Sequence, residues 1–258
     1  MALVEISDDL GVITITLNDP GSRNAMSEAM AEEFRGAVER LKLEEGIRVV
    51  ILTGAGEVFS GGGHLAMLEE KTRLSVEENE QKMLEFYRSF LSVCDLPVPT
   101  IAALNGHAIG AGCCLSLACD IRIAAEGAKL GFNFLALGLH PGMGATYFLP
   151  RIIGPAKAAE LLYSAAIISA KEAFELGMVN RVVRRDLLGQ AVGDLAKRIA
   201  SNGPCATREL KQSLRQAGEL DEALAREAQV QANNYVGREF LEGISAARER
   251  RTPVFPTK

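Results

Sequence analysis

The feature that most constrains this 258-residue chain is a repeated order of short apolar run, glycine-rich turn and helix-like segment. Residues 48–53 (RVVILT) lead into a glycine-rich stretch at 54–63. Residues 100–104 (TIAAL) lead into Gly106 and Gly110, then into the small residues 111–118. Continuous apolar runs of this length suit strands buried on both faces, and helices between such strands are the mark of an α/β layer architecture. The units share a rhythm but no sequence identity, which predicts a twisted or coiled sheet rather than a repeat array.

Flanking segments extend the pattern. Residues 3–6 and 11–17 alternate as two paired strands should. Ser27 is placed to cap a helix whose Met30, Phe34, Ala37, Val38 and Leu41 fall on one face, with Gly46 ending it. Ser75-x-x-Glu78 predicts a capping box for a helix to about residue 93, and 120–125 reads as another strand. Pro155 marks a helix start, Ser169-x-x-Glu172 a second capping box leading to Gly177, and 179–183 a short strand. Helices are then expected near 186–201, 205–217 and 219–250. This predicts a body over 1–195 and a helical region over 196–258.

Composition narrows the function classes. With 48% hydrophobic and 24% charged residues the chain is no extended disordered polymer, and its net charge of −5 argues against a nucleic-acid surface. Five cysteines, Cys94, Cys113, Cys114, Cys119 and Cys205, are odd in number and contain no C-x-x-C pair. Structural zinc, any other metal site and a disulfide framework are therefore not expected. No run reaches the ~18 apolar residues of a membrane span. Glu5, Asp8 and Asp9 stand where a secretory leader would be basic and apolar, so a cytoplasmic setting is expected.

Two segments are candidates for chemistry. Phe59-Ser60-Gly61-Gly62-Gly63-His64 follows an apolar run, and its adjacent glycines let backbone N–H groups approach a ligand without a Cβ in the way. Neither G-x-x-x-x-G-K-[ST] nor G-x-G-x-x-G occurs, so a mononucleotide or dinucleotide site has little support. Asn105-Gly106-His107-Ala108-Ile109-Gly110-Ala111-Gly112-Cys113-Cys114 opens a short helix, whose first N–H groups favour an anion. Together the two segments can supply a pair of N–H donors to a developing oxyanion.

At these residues the chain resembles the crotonase (enoyl-CoA hydratase/isomerase) superfamily. Phe59 to Leu65 is similar to its F-S-A-G-A-D-L segment and Asn105 to Cys114 to its N-G-x-A-x-G-G-G-C-E segment. The likeness continues through Cys119-Asp120-Ile121-Arg122, Gly138-Leu139-His140-Pro141-Gly142, Leu149-Pro150-Arg151 and Ala170-Lys171-Glu172-Ala173. The resemblance implies an α/β crotonase-type spiral of ββα units with a helical C-terminal trimerisation region, forming a homotrimer or a dimer of trimers. It implies an acyl-CoA thioester as substrate, with coenzyme A entering as part of that substrate and no separate cofactor. By match to the family, Gly63 and Ala111 donate the backbone N–H groups to the thioester oxygen, and Ala at 111 keeps the N–H that a Gly would carry.

The chain departs from the family where the reaction is chosen. The two glutamates of a typical hydratase correspond to Cys114 and Phe134, and neither side chain can do a carboxylate's proton transfer. Isomerase, decarboxylase, hydrolase and atypical hydratase chemistry stay open, as do ordinary hydration and a non-catalytic CoA-binding or assembly role. His140, in the loop before Pro141, and His64, beside Gly63, are the candidate proton carriers, each with a packing or hydrogen-bonding role as the alternative. His107 reads as structural. Cys114 is expected either to line the acyl site as a small hydrophobe or to act as a thiol. Arg23, the backbone around Ala25, Gly61 and Gly62, and Phe134 complete the implied substrate site. Arg250 matches a family Lys that reaches CoA phosphates, and Ala247 stands for the family's usual Phe in the acyl pocket wall.

Overall fold

The computed structural model describes residues 2–214, 220–251 and 253. Its strands are β1 (Val4–Asp9), β2 (Val12–Leu17), β3 (Val49–Gly54), β4 (Thr100–Leu104), β5 (Ala108–Ile109), β6 (Ile121–Ala125), β7 (Lys129–Gly131), β8 (Ile167–Ser169) and β9 (Arg181–Val183). Helices α1 (Glu28–Leu43), α2 (Leu65–Glu70), α3 (Val76–Leu91) and α4 (Ala111–Ala118) are interleaved with the first strands. They are followed by α5 (Ala145–Ile153), α6 (Pro155–Tyr163), α7 (Ala170–Glu175), α8 (Leu188–Ala200), α9 (Pro204–Leu214), α10 (Leu220–Tyr235) and α11 (Arg238–Glu249).

The main sheet has the order β1-β2-β3-β4-β6-β9, and a second sheet has the order β5-β7-β8. β1 and β2 form the expected hairpin, antiparallel with Ile6 opposite Ile15, and every later neighbour in the main sheet is parallel. The apolar runs are buried on both faces for a simple reason of alternation. Val49 and Ile51 of β3 join Ile101, Ala103 and Ile123 against Leu188, Val192 and Ala196 of α8. Val50 and Leu52 of the same strand point into the larger core with Phe34, Phe90 and Leu104.

Both capping boxes are formed, at Ser75 with Glu78 and at Ser169 with Glu172, and Ser27 accepts from the Met30 N–H at the start of α1. Gly177 follows α7 with φ +76°. Three expectations are corrected. The helix from Ser27 ends at Leu43, with Glu44 already extended, and Gly46 belongs to the turn beyond it. The single helix over 219–250 is two, because Gly237 is extended and its N–H turns back to Asn234 O. Phe240 then packs edge-on against Tyr235, with ring centroids 5.0 Å apart, which folds α11 back beside α10. The strand at 179–183 is confined to its last three residues. Positions 215–217 of the helix expected to 217, and residue 219, lie outside the described residues.

The C-terminal helices do not stand apart from the body. Leu224, Ala228, Tyr235, Phe240 and Ile244 lie in the same core as the sheet and α3. Among the described residues no helix is long and apolar enough to cross a membrane.

Candidate active site

Two segments distant in sequence are laced together by backbone bonds. Ser60 pairs with Ala108 as an isolated parallel bridge. Phe59 N and Ser60 N donate to His107 O at 3.1 Å, and Ile109 N returns a bond to Ser60 O at 3.0 Å. On its other side the glycine segment is zipped to 23–26: Gly61 N donates to Arg23 O, Met26 N to Gly62 O, and His64 N to Met26 O, at 2.7–2.9 Å. In a parallel bridge between Met26 and Gly63, the bonds run to the residues either side of Gly63, so the Gly63 N–H faces away from that strand.

Gly62 explains why this crossing needs glycine. Its φ is +93°, and a Cβ there would lie 2.7 Å from Ile109 O. Gly110, bonded through its N–H to Gly131 O at 2.8 Å, turns the chain into α4, whose first residue is Ala111. The first N–H groups of a helix have no intrahelical acceptor. Among the described residues, neither Gly63 N–H nor Ala111 N–H has a hydrogen-bond acceptor. Both residues line one cavity of about 250 Å³.

The remaining wall of that cavity is mostly apolar, with Leu65, Met67 and Leu68 of α2, Phe86 of α3, Phe134, Leu139 and Met143 among its members. Ala247 of α11 contributes as well. Gly61 and Gly62 lie on the wall beside Gly63. Among the described residues the wall contains no Asp, Glu, His, Lys or Arg. A larger groove of about 610 Å³ runs between α1 and α3, but Glu28, Glu32, Glu39 and Glu85 outnumber Arg35 and Lys82 on its lining, a net negative set that suits a phosphate-bearing ligand poorly.

The other expected site residues are placed as follows. Cys114 is fully buried one turn into α4, with its N–H on Gly110 O, and is not on the cavity wall. His64 and His140 are half-buried and also lie off the wall. His64 caps α2 through its backbone only. The His140 N–H donates to Asn234 Oδ1 at 2.7 Å and its carbonyl accepts from Gln231 Nε2 at 2.7 Å, which ties its loop to α10. Arg23 is exposed, with φ +58°, beside the glycine segment, and Ala25 is half-buried next to it. Arg250 is exposed at the end of α11, three residues beyond Ala247. His107 has the structural place expected of it, its Nδ1 accepting from Lys129 N at 3.2 Å.

Several residues given no role of their own in the sequence prove central. Asn24, fully buried with φ +52°, donates through Nδ2 to Ala55 O and Val58 O at 2.9 and 2.7 Å and accepts from Asp19 N. Asn105 Nδ2 holds Gly54 O and Gly56 O at 2.8 and 2.9 Å. These two amides shape the loop that carries the glycines. Arg122, 6% exposed, donates to carbonyls of Met178, Ser116, Leu117 and Cys119, closing the C-terminal end of the helix that starts at Ala111. Burial holds its guanidinium below the ordinary arginine pKa. Tyr87, Gln231 and Tyr235 add a polar patch to the cavity wall from α3 and α10. Among the described residues no group of three or more His, Cys, Asp or Glu side chains is placed to hold a metal ion.

A sequence profile described as enoyl-CoA hydratase/isomerase matches residues 8–258. The chain is 34% identical to a crotonyl-CoA hydratase of Syntrophomonas wolfei, covering 99% of this chain and 98% of that protein. It is 33% identical to a 2,3-dehydroadipyl-CoA hydratase of Escherichia coli, covering 99% of both. Among solved structures, an enoyl-CoA hydratase from Bacillus anthracis is 39% identical with a TM-score of 0.79, covering 98% of this chain and 99% of that one.

Proposed function

The chain belongs to the enoyl-CoA hydratase/isomerase family and has its α/β crotonase-type fold, and on that premise we propose that it stabilises the enolate of an acyl-CoA thioester between the N–H groups of Gly63 and Ala111. The observation that carries this reading is that Gly63 and Ala111, whose N–H groups have no acceptor among the described residues, both line one cavity. A thioester oxygen there gains two donors as its negative charge grows. Because the donors are already in place, little reorganisation accompanies the reaction. Arg23 and Arg250, both exposed, suit the phosphates of coenzyme A.

The reaction proposed is isomerisation, decarboxylation, hydrolysis or an atypical hydration. Ordinary hydration needs two carboxylates on the wall, and among the described residues none is there. His140 or His64 would exchange protons with the bound thioester through intervening water. Incubating the protein with saturated, unsaturated, malonyl-type and aryl acyl-CoAs in heavy water should produce α-deuteration or product, read by mass spectrometry. No exchange and no turnover across the panel would count against the reading.

A second reading, a CoA-binding protein without catalysis, is favoured by the same lack of titrating acids and imidazoles on the wall. Tight acyl-CoA binding without exchange distinguishes it. Crotonyl-CoA hydration no faster than buffer would exclude ordinary hydratase activity. The family resemblance also supports a homotrimer or a dimer of trimers, which light scattering of the purified protein tests.

A further inference from the structure

Leu65 of α2 and Ala247 of α11 are both exposed and both line the cavity, so each stands at its rim, where the lining meets solvent. The two rims are secured differently. α2 is pinned at both ends. Before it, His64 N donates to Met26 O at 2.9 Å. Beyond it, the nearly buried Lys71 meets Glu28 and the Lys71 carbonyl accepts from Asn79 Nδ2, each at 2.9 Å. α11 is seated only as far as Ala246. Phe240, Gly243, Ile244 and Ala246 are buried, and a Cβ on Gly243 would lie 2.5 Å from Leu137 O. From Ala247 to Arg251 every side chain is exposed, so burial does not hold the last turn.

An ion pair crosses from one rim to the other. Arg248 of α11 is in close contact with Glu69 of α2, the arginine side chain 60% exposed and the glutamate 25%. Their chain neighbours Ala247 and Leu68 line the cavity, so the pair bridges the two helices directly beside that lining. Arg251, by contrast, pairs with Glu242 and Glu249 of its own helix, and those bonds do not reach α2.

We propose that Glu69 and Arg248 are positioning residues, whose ion pair fixes the last turn of α11, with Ala247, against the anchored α2 and so sets the shape of the cavity rim. The consequence for ligand binding rests on the acyl-CoA reading of the cavity; the link between the two helices does not. A pair at this exposure changes an equilibrium by about two- to fivefold, which alters how often the helix end lifts away without unfolding the protein. Ala247 offers only a methyl group to a ligand, so its contact depends on where the helix end is kept.

The test is a double-mutant cycle on the whole protein with Glu69→Arg, Arg248→Glu and the charge-swapped double variant. Amide hydrogen exchange over 244–251 is read first, without ligand. Each single variant sets like charges against each other and should lower protection by about two- to fivefold. The double variant restores opposite charges and should recover most of that protection. A charge acting only on its own helix end gives additive effects and no recovery. Calorimetric binding of butyryl-CoA and of free coenzyme A is then compared. The ratio of the two affinities reads the acyl cavity and cancels changes at the phosphates; it should fall by about two- to fivefold in the single variants and recover in the double. Additive losses of protection would overturn the link between the helices. Recovered protection with an unchanged affinity ratio would overturn the effect on the cavity rim. Wild-type protein that binds neither ligand would count against the acyl-CoA reading, while the exchange cycle still decides whether the pair links α2 to α11.

Discussion

Gly112 and Ser60 stand so close that a Cβ on Gly112 would lie 2.6 Å from Ser60 Cβ and 2.8 Å from Ser60 O. Ser60 begins the segment that carries Gly63, and Gly112 is the second residue of α4, directly after Ala111. The contact therefore sets how near the two proposed donors come. Backbone cannot yield as a flexible side chain can, so Gly112→Ala should push α4 away from the glycine segment. We expect kcat/KM on the substrate found by the acyl-CoA panel to fall by about 10²–10³-fold. A variant with wild-type kcat/KM would show that this spacing does not matter.

Gly63 separates the role of the N–H from that of the missing side chain. An Ala Cβ at this position would meet Leu68 at 3.5 Å, an ordinary contact, and the N–H would remain. Gly63→Pro removes the N–H. Turnover should fall by about 10²–10³-fold in the Pro variant and much less in the Ala variant. Equal rates in the two would discard the donor assignment.

Asn24 holds the loop from Ala55 to Phe59 through its buried amide. Asn24→Ala would leave those carbonyls short of a donor and put a less tolerant residue at φ +52°. Urea denaturation should show a loss of about 2–4 kcal/mol, from unsatisfied buried polar groups and backbone strain together. A loss below about 0.5 kcal/mol would contradict the clamp.

Glu28 meets the nearly buried Lys71 at 2.9 Å, and this hydrogen bond holds its carboxyl below the ordinary value of 4.5. A depressed carboxylate contributes stability above its unfolded pKa and loses it as pH falls through the folded one. Glu28→Gln should therefore destabilise the protein at pH 7. The gap from wild type should narrow as the pH falls below 4.5, followed by thermal melts across a pH series. A gap that stays constant would assign the effect to packing.

Cys113 and Cys119 are fully buried, and desolvation pushes both thiols up to about 12. Thiolate, the reactive form, is then scarce at pH 8. Iodoacetamide at that pH should leave both residues unlabelled in the folded protein and modify them in urea, as read by peptide mass mapping. Rapid labelling without denaturant would place at least one of them in an accessible site.

Local signals accounted for much of the fold. The Ser75 and Ser169 capping boxes, the β1–β2 hairpin and the apolar runs of β3, β4 and β6 are short-range patterns, and each formed where its pattern lay. The gaps have physical causes. α5 carries Pro150 in its interior, a poor helical position tolerated because the surrounding core holds the segment. The break at Gly237 follows from Phe240 packing on Tyr235, a contact no helical period announces.

The candidate site divides along the same line. By itself the sequence determined the two glycine segments, the residues Gly63 and Ala111, and the replacement of both expected glutamates by Cys114 and Phe134, because these are properties of contiguous residues matched to a motif. Only the tertiary structure decided that Gly63 and Ala111 line one cavity, that His64, His140 and Cys114 stand off its wall, and that Tyr87, Gln231 and Tyr235 stand on it. Tyr87 and Gln231 are 144 residues apart. Local periodicity says which face of a helix is buried, but which distant helix covers that face depends on the packing of the whole core.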